Sequence, residues 1–429
     1  PNEQIIEDKY KDIIKKNYNL SWFVSLDTPV VERLDVLVSK GADDSEIYAL
    51  KRIHWEDWDT SNMWLRFDLT VPLARFIGQY EWEITFPFKR QQIWRVYRWE
   101  RPQKGRYREF YQADIDIIWN QKLPLFADVE ILYTIYSSLK ELDFWNFVIN
   151  INNKKFLRGF LSSIWIIDDS IINTIRIIDK KDKIKWNKLN EMFINIWITE
   201  KQIEKINEFI SFWEKNDSIS ILNKFSNLEN KKIEEGINEL KYIYNNLLTL
   251  WVNEKNIKIN PSISRWLDYY TWTVFETFIN WYEWMWSISS WGRYENLASN
   301  FTKNIYPWVW WSIWLSRLLA VLYELWKIEL ENNTITKVLL VNMWDDLLKN
   351  NLEIVNNLRN NWINTEIYLD WDIKMQKQLK YANNKKIPFV IIQWEEEISK
   401  WIVQIKNLVN WEQIEIKNND ILDYFANTI

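Results

Sequence analysis

Eight Lys or Arg residues fall between positions 89 and 108, against a single acid, Glu100. Arginine presents a rigid fork of donors that matches phosphate oxygens, and it keeps its charge throughout the physiological range. The centre of this run, Arg98-Trp99-Glu100-Arg101-Pro102-Gln103-Lys104-Gly105-Arg106-Tyr107-Arg108, carries Pro102 and Gly105, residues that mark a turn. On either side, residues 92–97 and 110–118 alternate as strands do. Charged runs are often only solvated faces. Here the turn and the flanking strands would hold Arg98 and Arg106 in place, which favours a phosphate-binding loop.

Two later segments add further chemistry. Residues 264–276 join Arg265 and Asp268 to the adjacent Tyr269 and Tyr270 ahead of a strand, a set that a plain β core rarely carries. Residues 290–294 end in Gly292-Arg293-Tyr294, and residues 306–319 bring four Trp, at 308, 310, 311 and 314, before Arg317. With small residues at those four positions the segment becomes a strand running into a helix, with Arg317 in the first turn. A planar base could then lie against the backbone, with Arg317 stacked on it.

That condition concerns the whole chain, which has 31 Trp and 6 Gly, 37 residues of 429 together. An average protein is roughly 7% glycine. The tryptophans stand where a folded backbone needs glycine. Trp411 follows Asn410 between the alternating runs 402–408 and 413–417, where Asn-Gly is the strongest hairpin signal. Trp362 stands between a helical stretch ending at Asn361 and the strand-like residues 364–369, in the place of a left-handed helix cap. A bulky side chain in the left-handed region costs about 1–2 kcal/mol, and overpacking adds roughly 1–3 more. Ten such sites would exceed the ~5–15 kcal/mol that holds a domain together. The expectation is that UGA encodes glycine in the source and was read as tryptophan; the abundance of Ile, Lys and Asn fits an AT-rich genome. A Trp-rich carbohydrate- or membrane-surface binder would instead spread its indoles over exposed faces rather than concentrate them at turns and caps. Trp22 and Trp94 are the positions to check first for a genuine indole.

Setting the tryptophans aside, 20 Tyr and 20 Phe are an ordinary aromatic content. The net charge of −5 leaves any nucleic-acid contact to local basic patches. Absence of cysteine excludes disulfides and thiolate metal sites and fits a reducing cytosol. No basic and apolar leader opens the sequence at Pro1, so no signal peptide is expected. Residues 308–326 are interrupted by Arg317 and Glu324 and fall short of the ~20 apolar residues of a membrane span. A soluble, cytoplasmic protein is expected.

The elements that must position this chemistry read as an α+β protein. Residues 3–16 suit an amphipathic helix with Ile5, Ile6, Ile13 and Ile14 on one face. Strand-like runs alternate with loops over 30–118, followed by a long helix at 125–142 and a Lys/Asn/Ile-rich helical segment at 171–250. Strands return over 257–326 and end in a helix at 315–325. After a polar linker at 329–336, strands at 337–342, 364–369, 388–393, 402–408 and 412–417 alternate with helices at 345–360 and 372–383, a small α/β domain. The division is therefore 1–170 and 256–328 as two parts of a core, 171–255 as a helical insertion, and 337–429 as a separate domain.

With Trp read as Gly, the chain resembles the histidyl-tRNA synthetases, class II aminoacyl-tRNA synthetases, over nearly its whole length. The residues that carry the resemblance are Arg66-Phe67-Asp68-Leu69-Thr70-Val71-Pro72-Leu73-Ala74-Arg75, the run from Arg98 to Phe110, residues 265–276 and residues 314–319. Residues 379–382 and 405–408 match the family's C-terminal anticodon-binding domain. Trp266, Trp272, Trp291, Trp308, Trp310 and Trp314 each fall on a family glycine.

The resemblance implies a class II antiparallel sheet with flanking helices, and a ligase that activates L-histidine with ATP and Mg²⁺ and passes it to tRNA(His). Arg98 would hold the α-phosphate, with Arg265, the family's distinctive cation, facing it. Arg106 and Arg317 would bind the outer phosphates and stack near the adenine, and Glu100 belongs to the same ATP site. Asp68, Thr70 and Gln112 would grip the substrate's amino group. Asp116 and Tyr270 would read the imidazole, with Tyr269 and Tyr294 beside them. A homodimer is implied through residues 28–32. Ser316 departs from the Glu of many members, and Asp68 from the Glu common in bacteria. His54, the sole histidine, has no acid or nucleophile beside it and is expected on the surface. The alternative is the non-catalytic, synthetase-like regulatory subunit of ATP phosphoribosyltransferase. That protein normally lacks the C-terminal domain and tends to lose the arginines.

Overall fold

A computed structural model describes residues 2–39, 44–51, 63–144, 146–181, 184–225, 230–263, 273–282, 287–295, 297–325, 327, 334–343 and 348–428. Two compact units divide the chain, Lys11–Ile328 on one side and Pro1–Tyr10 with Glu329–Ile429 on the other.

The chain opens with α1 (Asn2–Leu20). Its buried stripe is Tyr10, Ile14 and Tyr18, while Ile5, Ile6 and Ile13 are only half-buried. Then follow β1 (Val24–Ser25), β2 (Val31–Arg33), α2 (Leu34–Leu37), β3 (Met63–Leu65), α3 (Thr70–Tyr80), β4 (Phe88–Tyr97), β5 (Glu109–Ile118), α4 (Phe126–Glu141) and β6 (Phe147–Asn153). Six helices come next: α5 (Lys154–Ser163), α6 (Asp168–Ile178), α7 (Trp186–Ile194), α8 (Glu200–Lys215), α9 (Ser218–Phe225) and α10 (Lys231–Thr249). The unit closes with β7 (Ile257–Ile259), β8 (Thr273–Ile279), β9 (Ser289–Tyr294), β10 (Trp308–Ile313) and α11 (Leu315–Glu324).

Eight strands form one sheet in the order β1-β4-β5-β10-β9-β8-β6-β7, antiparallel except at the two edge pairs β1–β4 and β6–β7. Residues directly opposite on an antiparallel ladder share a face. Gln112, Asp114 and Asp116 of β5 therefore lie on one face with Trp94, Gln92 and Arg90 of β4, and Asp114 and Asp116 also share it with Ser312 and Trp310 of β10. The intervening residues Ala113, Ile115 and Ile117 line the other face, which α4 covers.

Arg293 belongs to that covered face. It lies opposite Val309, and its guanidinium donates to Asp128 Oδ2 of α4 at 2.6 Å and to the carbonyls of Leu123 and Pro124 at 3.1 and 2.8 Å. Burial raises the Asp128 pKa, and Arg293 offsets part of that. Although it stands in a chemically suggestive segment, Arg293 anchors a helix. Arg293→Ala should therefore cost about 3–5 kcal/mol, because a buried carboxylate loses its partner. Denaturant titration would read this loss, and the affinity for small substrates should not change in the folded fraction.

In the smaller unit, β11 (Val338–Leu340), α12 (Leu348–Asn360), β12 (Thr365–Ile367), α13 (Met375–Asn384), β13 (Phe389–Ile392), α14 (Glu395–Lys400), β14 (Ile402–Asn407), β15 (Gln413–Lys417) and α15 (Ile421–Thr428) follow in order. The sheet runs β12-β11-β13-β14-β15, parallel through the first three strands and antiparallel thereafter. Successive side chains feed two cores. Val338, Leu340, Phe389 and Ile391 pack with α12 and α15, whereas Leu339, Val341, Val390 and Ile392 pack with α13. No described helix of the chain is long and apolar enough to cross a membrane.

Helix ends share one device. After α1, α5, α7, α10 and α12 the chain turns through Trp22, Trp165, Trp197, Trp251 and Trp362, each with φ between 61° and 65°. At Trp165 the backbone N–H donates to the Ser162 carbonyl at 3.0 Å, and that of Ile166 to Leu161 at 3.2 Å. The same pair of bonds recurs at the other four, and it is the left-handed closure that glycine normally supplies. The residue that follows tucks inward, as Phe23, Ile166, Ile198 and Val252 do. Trp281, Trp401 and Trp411 also have positive φ. Among the described residues eight of the ten non-glycine positive-φ positions are thus Trp, and all eight indoles are at least 61% exposed.

Candidate active site

The basic run is the connection between β4 and β5. Arg98 N–H donates to the Arg108 carbonyl at 2.9 Å, and Gln103 and Arg106 exchange backbone bonds at 3.2 and 2.8 Å, closing a tight turn. Gly105 within it has φ +72°, and a side chain there would meet Arg317 Cγ at 3.4 Å. The left-handed backbone is what a residue other than glycine would find strained, since the contact with Arg317 is an ordinary one.

This turn gathers the cations. Arg98 donates from Nε to the Phe67 carbonyl at 2.9 Å. Its Nη1 and that of Arg106 lie 3.8 and 3.7 Å from the two oxygens of Glu100, which therefore stands between them. From the first turn of α11, Arg317 reaches back and donates to the Gly105 carbonyl at 3.1 Å and to that of Ser287 at 3.0 Å, with its guanidinium 4.2 Å from the Trp314 ring. Four separated residues, Arg98, Glu100, Arg106 and Arg317, are thus brought to one loop. Ser316 accepts from the Tyr111 N–H at 2.9 Å, a link from helix to strand.

Beside this loop runs the polar face of the sheet. Gln112 is buried; its amide donates to Ser312 Oγ at 3.1 Å, and its carbonyl oxygen has no hydrogen-bond partner among the described residues. Asp68 accepts from the Val71 N–H at 3.0 Å at the start of α3. Thr70, next to it, is buried with a hydroxyl that has no partner among the described residues. Asp116 is 1% exposed and accepts from Arg90 Nη1 at 2.7 Å. Burial raises its pKa to about 6, although Arg90 pulls it down. Tyr294 lies further along, opposite Trp308 and stacked on Trp310 at 6.3 Å.

Arg265, Tyr269 and Tyr270 fall within residues 264–272, outside the described residues, as does His54 in 52–62.

Three residues of this face were not singled out by the sequence: Gln92, Asp114 and Arg90, the last being only one cation among the eight of the basic run. Asp114 is fully buried, and burial together with the neighbouring Asp116 raises its pKa well above the ordinary value, which the Ser312 hydroxyl and Arg90 offset only in part. A cluster of buried polar atoms without protein partners is costly unless a ligand or water completes it. Only strand register places these three beside Asp116. Arg66, by contrast, is structural: fully buried, it donates to the carbonyls of Thr28 at 2.6 Å and Arg95 at 3.2 and 3.1 Å, and burial lowers its pKa to about 10.

A largely antiparallel sheet with six helices between β6 and β7, an arginine-bearing connection between two of its inner strands and a further α/β unit define a class II aminoacyl-tRNA synthetase. Residues 19–315 match the family described as histidyl-tRNA synthetase, and residues 337–428 match the anticodon binding domain. A histidine–tRNA ligase of Finegoldia magna is 39% identical over 423 residues, covering 99% of this chain and 96% of that protein. The crystal structure of histidyl-tRNA synthetase from Nostoc sp. PCC 7120 superposes with a TM-score of 0.92 at 32% identity, covering 100% of this chain and 96% of that one. A Bacillus halodurans structure titled ATP phosphoribosyltransferase regulatory subunit/histidyl-tRNA synthetase gives 0.72 at 17% identity, covering 90% and 93%, a likeness of fold alone. The chain belongs to the histidyl-tRNA synthetase family.

Proposed function

We infer that this protein activates L-histidine with ATP, releasing pyrophosphate, and transfers the histidyl group to tRNA(His). The observation that carries this reading is the meeting of Arg98, Glu100, Arg106 and Arg317 at one loop, beside the buried acceptors Gln112 and Asp116. The histidine carboxylate attacks the α-phosphorus. The protein's share is positioning and charge stabilisation. Arg98 holds the α-phosphate with Arg265 across from it, Arg106 and Arg317 take the outer phosphates and adenine, and Glu100 orients the two arginines beside it. Asp68, Thr70 and Gln112 take the α-amino group. Asp116 and Tyr270 read the imidazole, and Tyr269 and Tyr294 belong to the same histidine site. An apolar amino acid would leave the Asp116 oxygen that Arg90 does not hold, and the Tyr270 hydroxyl, without a partner, which provides the discrimination.

Mg²⁺ is read as arriving with the nucleotide and neutralising phosphate charge. No described group of three His, Cys, Asp or Glu residues could cage a metal, whereas Glu100 offers one carboxylate. That suits an ion held mainly by phosphate oxygens and water. Residues 1–170 and 256–328 serve as the catalytic core, 171–255 as the insertion, 329–336 as the linker and 337–429 as the anticodon reader. Residues 28–32 serve the contact of a cytoplasmic homodimer; a monomeric mass in light scattering would contradict that. Histidine-dependent exchange of labelled pyrophosphate into ATP tests the activity, since a regulatory subunit would give none.

We further read most of the tryptophans as glycine in the native polypeptide, from UGA codons. The eight left-handed positions, Trp22 among them, support this. Trp310 supports it too, because its indole shares the site face directly opposite Asp116. Trp213 differs. Buried in α8, it packs 5.7 Å from Phe225 and 5.1 Å from Phe209, and is read as a genuine indole. Sequencing peptides of the native protein tests each position.

A further inference from the structure

The Arg90 guanidinium is completely buried, yet it reaches none of the phosphate-binding residues. It donates through Nη1 to Asp116 at 2.7 Å, and through Nη2 to the Gln92 side chain and to the Leu69 carbonyl at 3.4 Å. Gln92 in turn accepts from the Thr28 hydroxyl at 3.3 Å. One planar cation therefore spans two elements: the strand that carries Asp116, and the Asp68-Leu69-Thr70 turn that begins α3. An isolated buried arginine is expensive, so its retention on this face calls for a function or for full pairing.

Resting on the reading of Asp116 as the acceptor for the imidazole, we propose that Arg90 is a positioning residue for histidine selection. It fixes the Asp116 carboxylate in one orientation and, through the Leu69 carbonyl, sets the residues that take the α-amino group at a constant distance from it. Both ends of the amino acid are then gauged by one rigid group, and a substrate of different length cannot satisfy both.

The charges around Asp116 make this testable by pH. Arg90 faces it from β4, Asp114 from its own strand, Asp68 from the turn before α3, and Tyr18 from α1. Arg90 is the only cation among them, and it lowers the Asp116 pKa against burial and Asp68, which raise it. Histidine capture needs the ionised carboxylate, so activity at low histidine falls as pH drops through that pKa. Removing Arg90 raises the pKa, and the loss then begins at higher pH.

The experiment is pyrophosphate exchange with the full-length protein, carrying at each Trp position the residue its native peptides establish. In Arg90→Gln the KM for histidine should rise roughly 10- to 100-fold, the loss of a charged hydrogen bond. The KM for ATP should hold, and the acid limb of kcat/KM for histidine should move up by about 1–3 pH units. Titration of free histidine is common to both proteins and cancels in the comparison. Arg90→Lys keeps the charge and should leave the acid limb in place with an intermediate KM. If Arg90→Gln does not fold, the lysine variant decides, and an unchanged KM for histidine there overturns the proposal. Equal rises in both KM values, with only a lowered Tm, would also overturn it and make Arg90 structural. Asp116→Asn separates the two readings: if it leaves the KM for histidine unchanged, the role given to Asp116 fails; if it raises that KM while Arg90→Gln does not, only the role of Arg90 fails.

Discussion

Made with an indole at every one of its 31 Trp positions, the polypeptide is expected to show no cooperative thermal transition, whereas the same chain with glycine at the eight left-handed positions and at Trp308, Trp310, Trp311 and Trp314 should melt sharply. The backbone strain is local. Each of the eight residues has φ between 55° and 73°, where Cβ crowds the following carbonyl at a cost of about 1–2 kcal/mol. Five of the eight are in the larger unit and three in the smaller, so each unit carries several kcal/mol of strain against the ~5–15 kcal/mol available. Little is recovered by packing, since each of these indoles is at least 61% exposed. Exposed aromatic surface of that extent also favours aggregation. Circular dichroism melts of the two chains decide the matter; identical cooperative transitions would sink the glycine reading.

The second large effect concerns chemistry rather than folding. Arg98→Ala should lower kcat for histidine-dependent pyrophosphate exchange about 10²- to 10³-fold, as removal of a preorganised charge from a transition state does. Arg98 is anchored at three points, by its backbone bond to Arg108, its Nε bond to the Phe67 carbonyl and its proximity to Glu100. Its guanidinium is thus pre-set before substrate binds, and little reorganisation is needed when charge builds on the α-phosphate. Lysine at 98 should recover only part of the rate, because a point charge cannot reproduce the fork. Since Arg98 touches none of Asp68, Thr70, Gln112 or Asp116 by hydrogen bond, the KM for histidine should change little. A variant with unaltered kcat would remove Arg98 from the catalytic set.

Residue types and spacing alone were enough to find the basic turn between β4 and β5, because its signal is local: eight cations, a Pro and a Gly within twenty residues. The helix and strand succession was equally legible in the smaller unit, where Val338–Leu340, Thr365–Ile367 and Phe389–Ile392 fall inside the runs expected as strands. Short α14 and α15 were not expected, since one or two turns leave little periodicity to detect. Glycine-like behaviour at Trp362 and Trp411 was also readable, because a turn or cap needs its left-handed residue at a fixed offset.

Face and partner could be settled only in three dimensions. Arg293 and Arg90 look alike in the sequence, yet one ties α4 to the back of the sheet and the other holds Asp116 at the front. The pairing of Arg90 with Asp116, 26 residues away, follows from the β4–β5 register, and a slip of one residue would turn every side chain of the strand to the opposite face. Composition sets what a stretch of chain can do locally; the ladder of backbone bonds selects which distant charge it meets, because burial makes that single neighbour dominate the electrostatics.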